Sequence, residues 1–529
     1  MSTVFQPAVS TSLRRHPALR PLHGRLHEVV TAAAALVALF CLAPLAFLIA
    51  ITIQTGADTV VALVFRARVG ELLLNTLLLE LSVVPAAVAL GILLAWLTER
   101  TTIPGARAWS WLAVAPLAVP AFVQGYAWAS FAPHLHGLPG ATLISVLAYT
   151  PFIYLPVIAQ LRRLDPALEE IATSLGRSPR QVFTQVVLPQ LHLPVSGGAL
   201  LIGLHLLAEY GLFAMIRFDT FATAIIDQFQ SSYNGPAANM LAGVLVLCCL
   251  GLLVLDRAFR GRERQARVGS GAPRAATRLK TGRIWTVPCL GLLLTYALLS
   301  LGVPSLTLGR WLVLGGVEAW RISDLAAAFG TTVFYAAAGA ALTSAAAIPI
   351  AWLCVRRPGL WQRRLEACHV YVGSLPGIVV ALALVTITVR VALPLYQSWF
   401  MLLVAYALIF LPRALIGLRG SLAQVPVELE WAASALGRPP LLAVLQVTLR
   451  LAAPGLAAAM ALVGLGITTE LTATLLLSPN GTRTLATEFW SLTGEIDYVA
   501  ATPYAVLMII LSIPMAVMLH RQSRKANGL

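Results

Sequence analysis

Stretches of roughly twenty apolar residues follow one another along nearly the whole chain, and the polar segments between them are too short to fold on their own. A run of that length crosses the ~30 Å hydrocarbon core of a bilayer as a helix. Backbone groups find no water there, so a spanning segment must be a helix or part of a closed barrel. Barrel strands would alternate apolar and polar residues over about ten positions, and these runs do not. The pattern predicts twelve spans, at roughly 30–53, 72–97, 108–131, 140–161, 195–216 and 238–255, then 284–305, 325–354, 367–393, 399–418, 452–476 and 502–520. Composition agrees: 58% of the 529 residues are hydrophobic and 11% charged, against about 25% charged in soluble proteins. The expected fold class is an all-α integral membrane protein.

The net charge of +15 is unevenly distributed. With the N-terminus cytoplasmic, only Arg66, Arg68, Arg217, Arg310, Arg321, Arg390 and Arg483 of the 37 basic residues fall outside. The positive-inside rule then makes both termini cytoplasmic. Topology and anionic lipid headgroups account for the basic excess, so membrane lipid is an expected partner and nucleic acid is not. The six cysteines form no C-x-x-C pair, and neither a disulfide framework nor a metal site is implied. Residues 1–29 read as a cytoplasmic tail leading into a retained first span rather than a removed signal peptide.

The chain is duplicated. NTLLLELSVVPAAVALGILLAWLTERTTIPG (75–105) aligns with TTVFYAAAGAALTSAAAIPIAWLCVRRPG (331–359). Thr76 falls on Thr332, Trp96 on Trp352 and Pro120 on Pro376, all at an offset of 256. Six spans per half is an even number, so residues 30–255 and 284–520 share one orientation, with a path expected between them. The basic segment 256–283 reads as a cytoplasmic linker, and 521–529 as a cytoplasmic tail.

One polar segment recurs at an offset of 261: EEIATSLGRSPRQVFTQVVLP (169–189) and EWAASALGRPPLLAVLQVTLR (430–450). Glu169 meets Glu430, Ala172 meets Ala433, Gly176 meets Gly437 and Arg177 meets Arg438. A polar loop kept twice at one place implies that one partner surface is met twice. Two acids at membrane depth, Glu209 and Glu470, keep the same offset. They read either as acids flanking a central path or as caps at helix ends. Glu80 faces Ala336 in the other half and reads as a lone satisfied polar residue. His205 stands at i, i+4 from Glu209, but Gly466 takes its place in the second half, which argues against a metal site. The segments DTFAT (219–223) and RTLAT (483–487) read as helix starts, and their repetition suggests that both outer loops meet one docking protein.

The repeated E-x-A-x-x-x-G…L-P pattern resembles the EAA loop in permease subunits of binding-protein-dependent ABC importers. PLAVPAFVQGYAW, RFDTFATAI, SLPGIVVALAL and TELTATLLLSPNGTRTLAT resemble, more narrowly, the fused two-half permeases of the ferric-iron uptake type. The resemblance runs from about residue 70 to near the end and implies a type I importer permease with two coupling helices docked on an ATPase. The positions it carries over are Glu170, Ala172, Gly176, Leu188 and Pro189, then Ala432, Ala433, Gly437 and Leu449. Ile171, Trp431 (with Glu430 one residue earlier) and Arg450 depart from the pattern, so the two contacts are expected to differ. Small residues permit close approach and glycine permits the turn; Arg177 and Arg438 are candidates to meet acidic ATPase residues. The only lysines, Lys280 and Lys525, lack the glycines of a P-loop. The chain is therefore expected to be no enzyme and to bind no cofactor, with ATP and Mg used by two copies of a separate ATPase subunit. A solute-binding protein would deliver the cargo, ferric iron by resemblance, with thiamine, polyamine, sulfate or phosphonate as alternatives. A twelve-helix secondary carrier is the alternative of a different class.

Overall fold

Apolar composition forces nearly every residue into helices, because a helix satisfies its backbone within one segment. The computed structural model describes residues 20–232, 234–260, 278–280, 282–357, 359–373 and 375–525. Among these, nine helices are long and apolar enough to cross a membrane, or eleven if each of two bent pairs counts as one. Three helices extend beyond the bounds expected for their spans. Helix Arg20–Thr55 begins ahead of residue 30, Gly235–Arg260 runs past 255, and Tyr498–Lys525 runs past 520. The rest of the N-terminal tail (1–19), most of the linker (261–277 and 281) and the last four residues lie outside the described residues.

Four of the twelve expected spans are interrupted, and the interruptions come in matched pairs. The stretch 108–131 is Ala106–Val114, a tight turn Ala115–Ala118, and Ala121–Phe131, with a 95° bend. The stretch 367–393 is Leu360–Val372 followed by Gly377–Val391. Pro120 and Pro376 stand just before the second pieces, at φ −54° and −55°. Proline lacks an N–H and its ring clashes with the preceding turn, so a proline matched in sequence becomes a break matched in space. The stretches 195–216 and 452–476 likewise stop, at Ala208 and Thr468, before the short helices Gly211–Met215 and Thr472–Leu477.

The two halves of the sequence exchange their first helices. Arg20–Thr55 packs on Ile322–Arg356, Leu360–Val372 and Gly377–Val391 of the second half. Its Ala34, Cys41 and Leu48 belong to the same core as Ile378 and Val380, and Arg390 donates to Gln54 Oε1 at 2.7 Å. In return, the segment Ile284–Gly315 lies on the first half. Tyr296 Oη donates to the carbonyl of Leu147 at 3.3 Å, Thr307 to that of Ala127 at 3.3 Å, and Trp311 Nε1 to Ser130 at 3.2 Å. Lipid gives no hydrophobic drive for helices to associate, so close approach at small residues does that work. At Gly91 even a Cβ would sit 2.7 Å from Ile153.

This exchange predicts that a chain cut within 261–277 stays together. After cleavage there, a tag on one half should recover the other from mild detergent. Separation into two fragments would mean that the exchanged helices contribute little.

Candidate functional site

The two polar loops fold alike. Pro166–Ser174 and Glu428–Ala435 are short helices, the first capped by Asp165 accepting from the Ala167 N–H at 3.0 Å. Each stops at a glycine with positive φ, 81° at Gly176 and 85° at Gly437. The N–H groups of Arg177 and Arg438 reach back to the carbonyls of Ala172 and Ala433, both at 3.1 Å. This closes the helix C-terminus in the left-handed turn that glycine adopts without penalty. Nothing lies within 4 Å of a Cβ at either glycine, so backbone conformation, not crowding, demands them. The chain then re-enters through Pro179–Val182 and Pro440–Ala443. Each continues into a single π turn, Phe183–Val187 and Val444–Thr448, matched at the same offset.

Behind each loop helix stands an arginine that sequence reasoning did not single out. Arg100 and Arg356 end the matched helices Ala67–Arg100 and Ile322–Arg356. Arg100 Nη2 lies 3.0 Å from Glu169 Oε1 and donates to the Leu161 carbonyl at 2.9 Å. Arg356 Nε donates to Glu430 Oε1 at 2.8 Å, and its Nη1 to the Val425 carbonyl at 2.9 Å. Glu430 Oε1 also accepts from Thr448 at 2.6 Å; the first half has Val187 at that register position. Glu430 is thus the register partner of Glu169 in both sequence and role, not a displaced copy of Glu170. The common 256 offset of two arginines at matched helix ends was the signal available in the sequence.

With the glutamates turned inward, the opposite faces carry apolar residues. Leu175 and Leu436, register partners, are 77% and 86% exposed. Ile171 and Trp431 are exposed beside them. Glu170, Ala432, Arg177, Arg438 and Pro189 are exposed as well; Ala172 and Ala433 are half-buried, as is Leu449, and Leu188 is at the edge of exposure.

Glu209 and Glu470 occupy helix breaks. Glu209 Oε1 accepts from the Leu212 N–H at 3.0 Å, and Oε2 from Tyr149 Oη at 2.8 Å. Glu470 accepts from the N–H groups of Ala473 and Thr474 at 2.8 and 3.0 Å, and from the Thr474 hydroxyl at 2.8 Å. The acids therefore cap short helices, and both also line one cavity of about 650 Å³ between the halves. The capping reading is present in the hydrogen bonds, and the cavity is the feature on which the path reading rests. The cavity reaches from the acids to Leu519 and Gln522 in the last helix, near Trp111, whose ring meets that of His520 at a tilt. Beyond the acids, Phe122, Tyr126, Leu471 and Phe489 form an apolar core shared by both halves. Gly211 lets Phe122 approach so closely that a Cβ would lie 2.6 Å from it.

Other expected residues fall elsewhere. Glu80 is not satisfied: its buried Oε1 has no hydrogen-bond partner among the described residues. Thr220 and Thr484 start helices Phe221–Ile226 and Leu485–Gly494 through capping boxes with Thr223 and Thr487. Asp219 takes no part in that cap and instead pairs with Arg68 at 2.7 Å.

Removing one member of a buried ion pair leaves the other charge stranded, at a cost of ~3–5 kcal/mol. Glu430→Ala should therefore lower the thermal unfolding temperature in detergent more than Glu169→Ala. Glu430 is 8% exposed in its side chain and has a hydroxyl partner, whereas Glu169 is 22% exposed. Equal losses would remove the asymmetry between the loops.

Comparison with known proteins identifies the family. The family described as binding-protein-dependent transport system inner membrane component matches residues 60–265 and again 345–527. The chain is 36% identical over 475 residues to the Fe(3+)-transport system permease protein FbpB 2 of Haemophilus influenzae, covering 89% of this chain and 93% of that protein. The ferric transport system permease protein FbpB of Actinobacillus pleuropneumoniae is 21% identical over 502 residues, 87% of this chain and 72% of that one. The sulfate transport system permease protein CysW of Escherichia coli is 25% identical over 207 residues, 35% of this chain and 71% of that one. Each loop helix lies within one of the two family matches, and so does each capping acid. The chain belongs to the binding-protein-dependent transport system inner membrane components, as a multi-pass permease with the family unit fused twice in one polypeptide.

Proposed function

We propose that this chain forms the translocation path of an ATP-driven importer for ferric iron. The observation that carries the cargo is the 36% identity, over most of both chains, to a permease named for Fe(3+) transport. The sulfate permease matches only about a third of this chain, at lower identity. The polar loops lie on the cytoplasmic side with both termini. Each loop helix docks on one copy of a separate ATPase subunit, which binds ATP and Mg. A solute-binding protein delivers iron at the opposite face, where the helices that begin at Phe221 and Leu485 provide matched docking surfaces.

The docking chemistry follows from the faces described above. Leu175 and Leu436 are apolar knobs that a groove of the ATPase would bury, each contributing about 1.5–3 kcal/mol when fully covered. The Arg100–Glu169 and Arg356–Glu430 pairs tie each knob to a long helix that ends beside it. A pull on the loop is thereby transmitted to the helix rather than absorbed by the turn. ATP binding draws the two ATPase copies together. The loop helices follow, and the cavity closes toward the cytoplasm as the apolar core around Phe122 and Phe489 parts. Such a cycle needs only partners that favour one of two states.

Gly176→Val together with Gly437→Val places β-branched residues at positive φ, which costs roughly 1–2 kcal/mol at each turn. Membrane insertion should persist while ATPase co-purification falls; unchanged co-purification would remove the loops from the docking surface. In proteoliposomes, iron uptake should require the ATPase, ATP and the binding protein. Uptake by the purified chain alone under an ion gradient would make it a secondary carrier.

A further inference from the structure

One cationic side chain in the central cavity has no hydrogen-bond or ion-pair partner among the described residues. Arg413, on helix Trp399–Ala423, lines the cavity that Glu209 and Glu470 share. Its guanidinium lies over the Phe410 ring, 5.1 Å from the centroid, and makes no hydrogen bond or ion pair with any described residue. An ionisable group within a membrane bundle ordinarily pairs with another or faces the path of a charged solute. The two nearby acids are committed, since Glu209 and Glu470 accept helix N–H groups and the Tyr149 and Thr474 hydroxyls. His205 is oriented by its Nδ1 against the Leu201 carbonyl at 2.8 Å and adds no negative charge.

The duplication makes this arrangement more pointed. At an offset of 256, Val157 holds the register position of Arg413, and at 261, Gly466 holds that of His205. A Cβ at Gly466 would lie 2.6 Å from Arg413 Nη1. The side chain missing from the second half thus leaves the space that the guanidinium fills. One cationic side chain is built into a cavity whose other half lacks it. An unpaired guanidinium there can hold an anion alongside the two carboxylates of the same cavity. The planar fork of a guanidinium fits the paired oxygens of a carboxylate or phosphate.

We propose that Arg413 is an oxyanion-binding site in the central cavity, so that iron crosses as a complex bearing a carboxylate or phosphate ligand rather than as bare Fe3+. This rests on the iron reading for its cargo and on Arg413 alone for its site. The oxyanion bridges metal and guanidinium, lowering the charge of the first and pairing the second.

The test is retention of radiolabelled citrate and phosphate by the purified full-length chain in nanodiscs, with and without ferric iron, in phosphatidylcholine and in phosphatidylglycerol. In phosphatidylcholine the wild type should retain one of these anions saturably. Arg413→Gln should weaken retention at least tenfold, and Arg413→Lys should restore part of it. Gly466→Ala keeps the charge but crowds the guanidinium, so it should weaken retention even if Arg413→Gln does not fold. Undiminished retention in Arg413→Gln or Gly466→Ala overturns the site. Retention of phosphatidylglycerol by the wild type, with no citrate or phosphate bound in phosphatidylcholine, makes the ligand a lipid headgroup and overturns the cargo complex. Anion retention at Arg413 without iron uptake by the reconstituted importer would defeat the iron reading and leave the site. Iron uptake without anion retention would defeat the site and leave the iron reading.

Discussion

Backbone groups inside hydrocarbon must find partners within the protein, and much of this molecule is arranged around the four places where its helices fail to provide them. At Pro120 and Pro376 a ring removes the N–H and stops the helix. At Glu209 and Glu470 the helix ends without proline, and a carboxylate accepts the N–H groups that open the next short segment. Interrupted backbone at membrane depth is tolerated where it is covered by protein or lines a cavity. The breaks at Pro120, Glu209 and Glu470 do line one, each facing the space between the halves. The acids are therefore structural and positional at once: capping fixes them, and being fixed they border the cavity.

The loops obey a second constraint. A surface helix of eight or nine residues is marginal by itself, so these two are held from behind. Arg100 and Arg356 turn a glutamate of each loop inward, and large apolar residues are left among those facing outward. Isolated exposed leucines are ordinary on a protein surface. Register-matched leucines at 77% and 86% exposure, each seated on a helix pinned to a long membrane segment, are less ordinary and supply the apolar contact of the proposed docking. The second loop is pinned more firmly, through Thr448, and presents Trp431 where the first presents Glu170.

Much of this was legible in the chain. Span length, the two offsets, the loop glycines and the matched acids all follow from residue type and spacing. Those properties are local or periodic. The breaks were harder to read, although Pro120 and Pro376 were visible as matched residues, because proline inside a membrane helix is often accommodated, as at Pro85 and Pro349 here. Arg100 and Arg356 were read only as positive-inside charge, since nothing local says that a helix-terminal arginine turns back under a loop some seventy residues away. Arg413 sat in an apolar run with no repeat partner to draw attention to it.

By itself the sequence determined that the chain crosses a membrane as helices, that it does so twice over in one orientation, and that a polar turn closed by glycine recurs in each copy. Hydrophobic length, backbone satisfaction and the conformational preference of glycine act within a few residues, so they need no fold to be read. Only the tertiary structure decided that the halves trade their first helices, that each loop hangs on a buried ion pair, and that acids, imidazole and an unpaired guanidinium share one cavity. Those outcomes depend on which helix surfaces meet. In lipid, where every helix is equally apolar, that choice rests on close packing and a few buried polar contacts between residues far apart in the chain.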